Sequence, residues 1–342
     1  MVRTTTVPTR GRRAGRARAG VMLGAGVVAL FGAMLLSLAV GSRLTTPTEV
    51  FQAIDGSGDP FVVTVVESRY ARTVMGVLAG AALAVAGTLM QGITRNPLAD
   101  PGLLGINAGA AAAVVTVTAA TGATSVTGTV WAALPGAFLA GAAAYIVGTR
   151  GGEGGMVRLV LAGAVVSAVL TAYVQAVALS MPDAFDSYRY WVVGSLAGRD
   201  FEVVYAVLPF VAVGIVLSLC LMGGLNALAL GDEAAVSIGV SATWVRGGAL
   251  TTATLLAAAA TAAVGPIAFV GLAVPHIVRS MVGVDFRLQV PFALLVGPTL
   301  LLLSDVVGRA LLRPTELMVG VVTAFVGAPV LLYAVRRMRT AA

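Results

Sequence analysis

The sequence predicts an all-α integral membrane protein, and three observations carry that reading. Charged residues make up 11% of the 342-residue chain, hydrophobic residues 58%, and mean hydropathy is +0.96. A soluble domain carries about 25% charged residues, so this chain lacks the charge to cover a soluble surface. Apolar runs of membrane-spanning length recur along the chain, separated by short polar breaks. Glycine is abundant (42 residues) and aromatics are only 6%, which suits closely packed helices. The short alternating segments and aromatic girdles of a β-barrel are missing.

The basic excess has a location that explains it. Net charge is +7, and every basic residue is Arg. Arg3, Arg10, Arg12, Arg13, Arg16 and Arg18 precede the first apolar run; Arg336, Arg337 and Arg339 follow the last. Arginines beside spans mark the cytoplasmic side, so lipid rather than nucleic acid is the expected surrounding. The single cysteine, Cys220, lies in an apolar run, cannot form an internal disulfide, and is expected to pack.

Taken in order, residues 1–20 are a basic Gly/Ala/Thr-rich tail, expected to be disordered. Residues 21–339 form a single membrane domain. Its first span is 21–40, too long for the apolar core of a signal peptide. An acidic outer loop, 41–68, leads to span two at 69–91. A polar break with two prolines follows, within 91–110, before span three at 104–120. Span four is 130–147, and 150–155 is a flexible Gly-rich inner loop. Span five is 157–179, followed by an outer segment, 181–200, with a short helix near 188–193. Span six is 203–222, and 223–246 is the longest polar inner stretch. Spans seven to ten are 247–264, 267–282, 291–308 and 317–335, with an outer turn at 309–316.

Ten spans put both basic termini on the cytoplasmic side, as the positive-inside rule requires. Several runs are short or interrupted by Gly and Pro. Such breaks are tolerated where they pack on protein or line a watery path, which favours a transporter or channel over an anchor. A weak internal repeat points the same way. Val77-Leu-Ala-Gly-Ala-Ala-Leu-Ala-Val-Ala-Gly87 precedes the break at Asn96-Pro97. Leu255-Leu-Ala-Ala-Ala-Ala-Thr-Ala-Ala-Val-Gly265 precedes breaks at Pro266 and Pro275-His276. The second lies five spans later, an odd offset that would invert it in the membrane.

A set of motifs carries a family resemblance over nearly all of residues 69–333. They are Asn96-Pro-Leu-Ala-Asp-Pro-Gly-Leu-Leu-Gly105; Trp191 with Gly194-Ser-Leu196; Leu230-Gly-Asp-Glu233 with Ala235 and Gly239; Gly265-Pro-Ile-Ala-Phe-Val-Gly271 with Pro275, His276 and Arg279; Asp305 with Arg309; and Glu316-Leu with Gly320, Thr323, Ala324, Gly327 and Pro329. In these the chain resembles the FecCD family of ABC-transporter permeases, importers of iron-siderophore complexes, haem and vitamin B12. The resemblance implies the type II ABC importer permease fold, ten helices with spans 2–5 and 7–10 related by inversion. The implied partners are a second permease subunit, identical or homologous, two ABC ATPase subunits, and an extracytoplasmic siderophore-binding protein. Two departures stand out. The family's R-x-P-R before span two is Arg69-Tyr-Ala-Arg72 here, and its proline after Glu-Leu is Met318.

The resemblance also implies roles for particular residues. Arg69, Arg72 and Arg309 match positions that meet acidic residues of the binding protein, where charge steers encounter and orientation. Local pairing competes with that role: Arg309 lies four residues after Asp305, on one helix face. Leu230, Gly231, Asp232, Glu233, Ala235 and Gly239 match the segment that couples the permease to its ATPase. Asp232 is expected to cap a short helix there, with Glu233 in its first turn. Asn96, Pro97, Asp100, Pro101, Pro275 and His276 are expected to shape the chain, and Asn107 either faces the path or belongs to the same structural turn. Asp305 inside a span would signal an ion path unless Arg309 neutralises it.

Ser167, Thr171 and Gln175 fall at i, i+4 and i+8, on one face of span five. That face suits either a path for bulky cargo, as the family implies, or hydrogen bonding between helices. Gly154, Gly155 and Met156, at the entrance to span five, are candidates for a gate. No metal site or cofactor is expected: the lone His276 has no paired carboxylate nearby. The chain has no Lys and therefore no P-loop, so ATP hydrolysis must belong to separate chains and the protein is not itself an enzyme. Thr94-Arg-Asn-Pro97 and Trp191-Val-Val-Gly-Ser-Leu196 resemble siderophore permeases, which makes a ferric siderophore the expected cargo, with vitamin B12 or haem as alternatives. An ion-driven secondary transporter, using Asp305, His276 and Gln175, is the competing class.

Overall fold

A computed structural model describes residues 10–41, 45–122, 125–149, 155–312 and 315–339. The described residues form α-helices and one 3₁₀ turn, without a strand. The helices are α1 (Arg10–Ala39), α2 (Pro47–Asp55), α3 (Pro60–Thr94), α4 (Ile106–Thr121), α5 (Val126–Thr149), α6 (Gly155–Ser180) and α7 (Pro182–Trp191). They continue with α8 (Phe201–Ala229), α9 (Asp232–Ser237), α10 (Ala242–Val264), α11 (Val270–Val282), α12 (Phe286–Leu311) and α13 (Val319–Arg339). The 3₁₀ turn, Pro101–Leu104, sits between α3 and α4.

Seven of these helices (α1, α3, α5, α6, α8, α10 and α12) are long and apolar enough to cross a membrane. Three shorter apolar stretches, Ile106–Thr121, Val270–Val282 and Val319–Pro329, lie where the sequence predicts spans three, eight and ten. Length and composition thus support seven candidate crossings, and the predicted ten needs these shorter pieces as well.

Burial shows which helices form the centre. The apolar window of α3 is 83% buried and that of α10 78%, against 11% for α1 and 22% for α6. The reason lies in the Ala/Gly runs of α3 and α10, which let neighbouring backbones come close. A Cβ added at Gly87 of α3 would fall on the backbone of Gly271 in α11. One added at Gly80 would meet the backbone at Gly297 and Pro298 in α12. Gly109 of α4 and Gly136 of α5 meet in the same way.

Several boundaries differ from expectation. α3 begins at Pro60, not Arg69, because Asp59 accepts a hydrogen bond from Phe61 N and Pro60 fills the first helical position. The expected loop 41–68 therefore contains the start of α3 and also α2, which opens on a capping box between Thr46 and Glu49. α7 starts at Pro182 rather than near residue 188, again with proline in its first turn. α1 runs from Arg10, so it takes in much of the stretch expected to be an unstructured tail.

The break at 91–110 is a tight re-entry. α3 stops at Arg95, whose φ of 49° is left-handed. Asn96 Oδ1 accepts from Leu98 N, and Asp100 Oδ1 accepts from Gly102 N to start the 3₁₀ turn. Gly105, at φ 81°, turns the chain into α4.

Candidate functional site

Three polar clusters interrupt the apolar bundle: one at each end of α3 and one in the break between α3 and α4.

The first lies near the N-terminal half of α3 and joins it to α1 and α12. Arg72 donates to Asp305 at 2.8 Å and to Glu316 at 2.8 Å. Arg309, one turn after Asp305 on α12, donates to the same carboxylate at 2.9 Å. Arg309 also donates to the Ser37 carbonyl at 2.9 Å and Ser37 Oγ at 3.0 Å. Arg69 donates to the carbonyls of Leu38 (2.7 Å) and Ala39 (3.2 Å) and to Thr45 Oγ1 (3.0 Å). Two arginines from other helices thus satisfy carbonyls in the last turn of α1, which have no acceptor role left within the helix. Gly41 is required beside them, since a Cβ there would strike the Arg69 guanidinium.

All three arginines have partners within the chain. Arg69 is 6% exposed, and Arg309 and Asp305 are each 1% exposed. Both arginine side chains turn inward, Arg69 onto the end of α1 and Arg309 onto Ser37 and Asp305. The local pairing of Arg309 with Asp305 is formed, and Asp305 is a neutralised acid with Arg72 as a further partner. Arg72 is the most accessible of the three, with 12% of its side chain exposed. It lines a cleft of about 560 Å³ together with Glu67, Arg69, Arg199, Asp200, Arg309 and Glu316. The sequence did not single out Arg199, Ser37 or Thr45. Only their positions in the fold bring them here, and no local pattern marks them.

The second cluster lies at the other end of α3, around α9. Gly231, at φ 113°, occupies the cap position without a side-chain hydrogen bond, so Asp232 is the first residue of α9 and not its cap. Its carboxylate is engaged elsewhere. Asp232 Oδ1 accepts from Arg95 at 2.6 Å and from Arg246 at 2.8 Å. Arg95 donates as well to the Leu228 carbonyl at the end of α8, at 2.6 Å. Burial alone would raise the Asp232 pKa, but the hydrogen bonds and charges of Arg246 and Arg95 hold it below the usual carboxylate range. The contact is therefore complete at neutral pH and is lost only as pH falls through that lowered value. Gly239, at φ 80°, ends the turn after α9. Ala235 is buried, whereas Leu230, Val236 and Ile238 are 72%, 62% and 62% exposed. Glu233 is exposed too. The segment therefore presents an apolar surface that no other described residue covers.

The third cluster fastens the break to α10 and α11. His276 Nε2 lies 3.0 Å from the Pro97 carbonyl, and Thr261 donates to Asn107 Oδ1 at 3.0 Å. Gln91 donates to the Leu272 carbonyl at 3.3 Å. Asp100 is half-buried, and burial pushes its pKa up against the hydrogen bond from Gly102 N. Pro101 and Pro275 are buried, the latter within α11. These contacts hold the re-entry in place, and Asn107 is occupied by Thr261 instead of standing free. Among the described residues, no group of three His, Cys, Asp or Glu side chains is placed to hold a metal ion.

On α6, Thr171 and Gln175 are exposed in the single chain, while Ser167 is partly covered and leans on Gly105 in the break. Leu161, Val165 and Val169 of the same helix are also exposed. Of the expected gate, Gly154 lies outside the described residues; Gly155 and Met156 open α6.

Similarity to known proteins extends along almost the whole chain. A family model described as the FecCD transport family matches residues 29–337. The ferric enterobactin transport system permease protein FepD of Escherichia coli (strain K12) is 43% identical over 89% of this chain and 92% of its own length. The Fe(3+)-citrate import system permease protein YfmD of Bacillus subtilis (strain 168) is 36% identical over 92% and 93%. The cobalamin import system permease protein BtuC of Halobacterium salinarum is 37% identical over 78% and 72%. A solved structure of an inward-facing metal-chelate type ABC transporter superposes with a TM-score of 0.83 at 27% identity, covering 93% of this chain and 99% of its own.

Proposed function

The chain belongs to the FecCD transport family, and from that premise we propose that it is the permease subunit of a binding-protein-dependent ABC importer of a ferric siderophore. The observation that carries this reading is 43% identity with a ferric enterobactin permease across 89% of the chain. Energy comes from ATP hydrolysed by two separate subunits, since a chain without Lys has no P-loop. A second permease, identical or homologous, completes the path, and the exposed face of α6 with Thr171 and Gln175 lines it.

In this reading ten helices cross the membrane, α3–α6 and α10–α13 are inverted repeats, and both termini lie in the cytoplasm. α9 then faces the cytoplasm, where Leu230, Val236 and Ile238 fit a groove on the ATPase. The Arg72 end faces outward, and the cleft lined by Arg72, Arg199 and Glu316 receives the extracytoplasmic binding protein. Arg69 and Arg309 serve that surface from below, by fixing α1 and Asp305.

Cargo is tested by deleting the gene and measuring uptake of ferric enterobactin, haem and vitamin B12. Loss of ferric enterobactin uptake alone, restored by the wild-type chain, is the expected result. Loss of vitamin B12 or haem uptake with iron uptake intact would replace the cargo while leaving the transporter class.

A further inference from the structure

The contact between α9 and the break in the chain suggests how movement of the one reaches the other. Asp232 is the first residue of a six-residue helix that has little else to hold it. Beyond Ala235, packed against Ala227 and Leu228, its apolar side chains point away from the bundle. The carboxylate faces two guanidiniums from different places. Arg246 stands in the first turns of α10, and Arg95 terminates α3 at the start of the 91–110 break. Both reach the same oxygen, Oδ1, at 2.8 and 2.6 Å. Arg95 uses the same terminal nitrogen to hold the Leu228 carbonyl. Four helix ends therefore meet at one acid: α3, α8, α9 and α10.

Arg95 is poised to pass on a displacement. It and Phe269 are the non-glycine residues described with positive φ. A left-handed conformation costs a residue with a Cβ on the order of 1 kcal/mol or more, and persists where surrounding contacts impose it. The next residues are Asn96 and Pro97, and the Pro97 carbonyl contacts His276 of α11. A pull on Arg95 is thus delivered to the turn that packs against the second half of the bundle.

We infer that Asp232 is a positioning residue that ties the ATPase-facing helix α9 to Arg95, so that displacement of α9 is passed to the 91–110 re-entry beside the path. The inference rests on the coupling role proposed above for α9, but its first test needs no ATPase. Glu233, the neighbouring acid, makes no such contact and faces solvent. The lowered pKa of Asp232 agrees with a carboxylate that stays ionised throughout the working pH range.

The test is hydrogen exchange of the full chain in lipid nanodiscs at pH 7, comparing wild type with Asp232→Asn, Asp232→Glu and Glu233→Gln. Asp232→Asn keeps size but removes the charge that two arginines share. Exchange in 231–239 is expected to rise about fivefold, as for loss of exposed ion pairs worth up to about 1 kcal/mol, and exchange in 95–105 is expected to rise with it. Asp232→Glu should restore much of the protection in both segments, and Glu233→Gln should leave 95–105 unchanged. Raising salt to about 1 M should move wild type toward Asp232→Asn, because exposed pairs are screened. A rise confined to 231–239, or no rise at all, overturns the inference. In complexes with the ATPase, Asp232→Asn should lose coupled uptake and Asp232→Glu should restore much of it. Failure of the wild-type chain to bind the ATPase would overturn the coupling role, whatever the exchange result.

Discussion

Replacing Asp305 with asparagine is expected to destabilise the protein by about 3–5 kcal/mol, the largest single-residue effect in the molecule. Asp305 is 1% exposed and neutralises Arg309, also 1% exposed, and Arg72. The amide preserves shape and one acceptor oxygen but leaves Arg309 charged and enclosed, with only neutral acceptors such as Ser37. Breaking one side of a buried pair costs more than the pair contributed, because the remaining charge has lost its water and its partner. The mechanism yields a second result in the opposite direction. Asp305→Asn combined with Arg309→Met removes both charges, and should recover a large part of the lost stability. Thermal unfolding in nanodiscs measures both. A double variant no more stable than Asp305→Asn would mean that the Ser37 contacts of Arg309, not its charge, are the stabilising element.

Gly87→Ala is expected to be the second most damaging change, at about 2–3 kcal/mol or more. The added methyl would fall on the Gly271 backbone, and backbone cannot rotate away as a side chain can. α3 and α11 must then separate, and the Gln91–Leu272 and His276–Pro97 contacts lie along the same seam. Gly223→Ala in α8 is the control, because a Cβ there meets nothing within 4 Å. It should be neutral, or stabilise by up to about 1 kcal/mol through better helix propensity. The two variants differ by one methyl at one residue type, so unequal unfolding midpoints report packing alone. Equal midpoints would remove the close α3–α11 approach as a constraint on the fold.

Much of the architecture was legible because membrane residence leaves large signals. Long apolar runs give α1, α3, α5, α6, α8, α10 and α12 directly. The 91–110 break was visible because two prolines and an Arg/Asp pair interrupt apolar sequence. What could not be read was partnership across the fold. Asp305 and Arg309 share one helix face, so that pair could be anticipated; Arg72 is 233 residues away, and nothing in its surroundings announces Asp305. Asp232 looked like a cap because acids often stand at helix starts. Gly231 takes that place, and the carboxylate is free for Arg95, 137 residues earlier in the chain. Arg69 and Arg309 were marked by the family resemblance, but their burial beneath α1 shows only in the packing.

These contacts gain their meaning from ATP-driven import, and reconstituted transport tests that claim most directly. The chain, its partner permease, two ATPase subunits and the binding protein would be placed in proteoliposomes, and uptake of a radiolabelled ferric siderophore followed. Uptake should require hydrolysable ATP on the α9 side and should survive a protonophore that collapses the proton gradient. Uptake that proceeds without ATP and vanishes with the gradient would contradict the account, and would make the protein a secondary transporter.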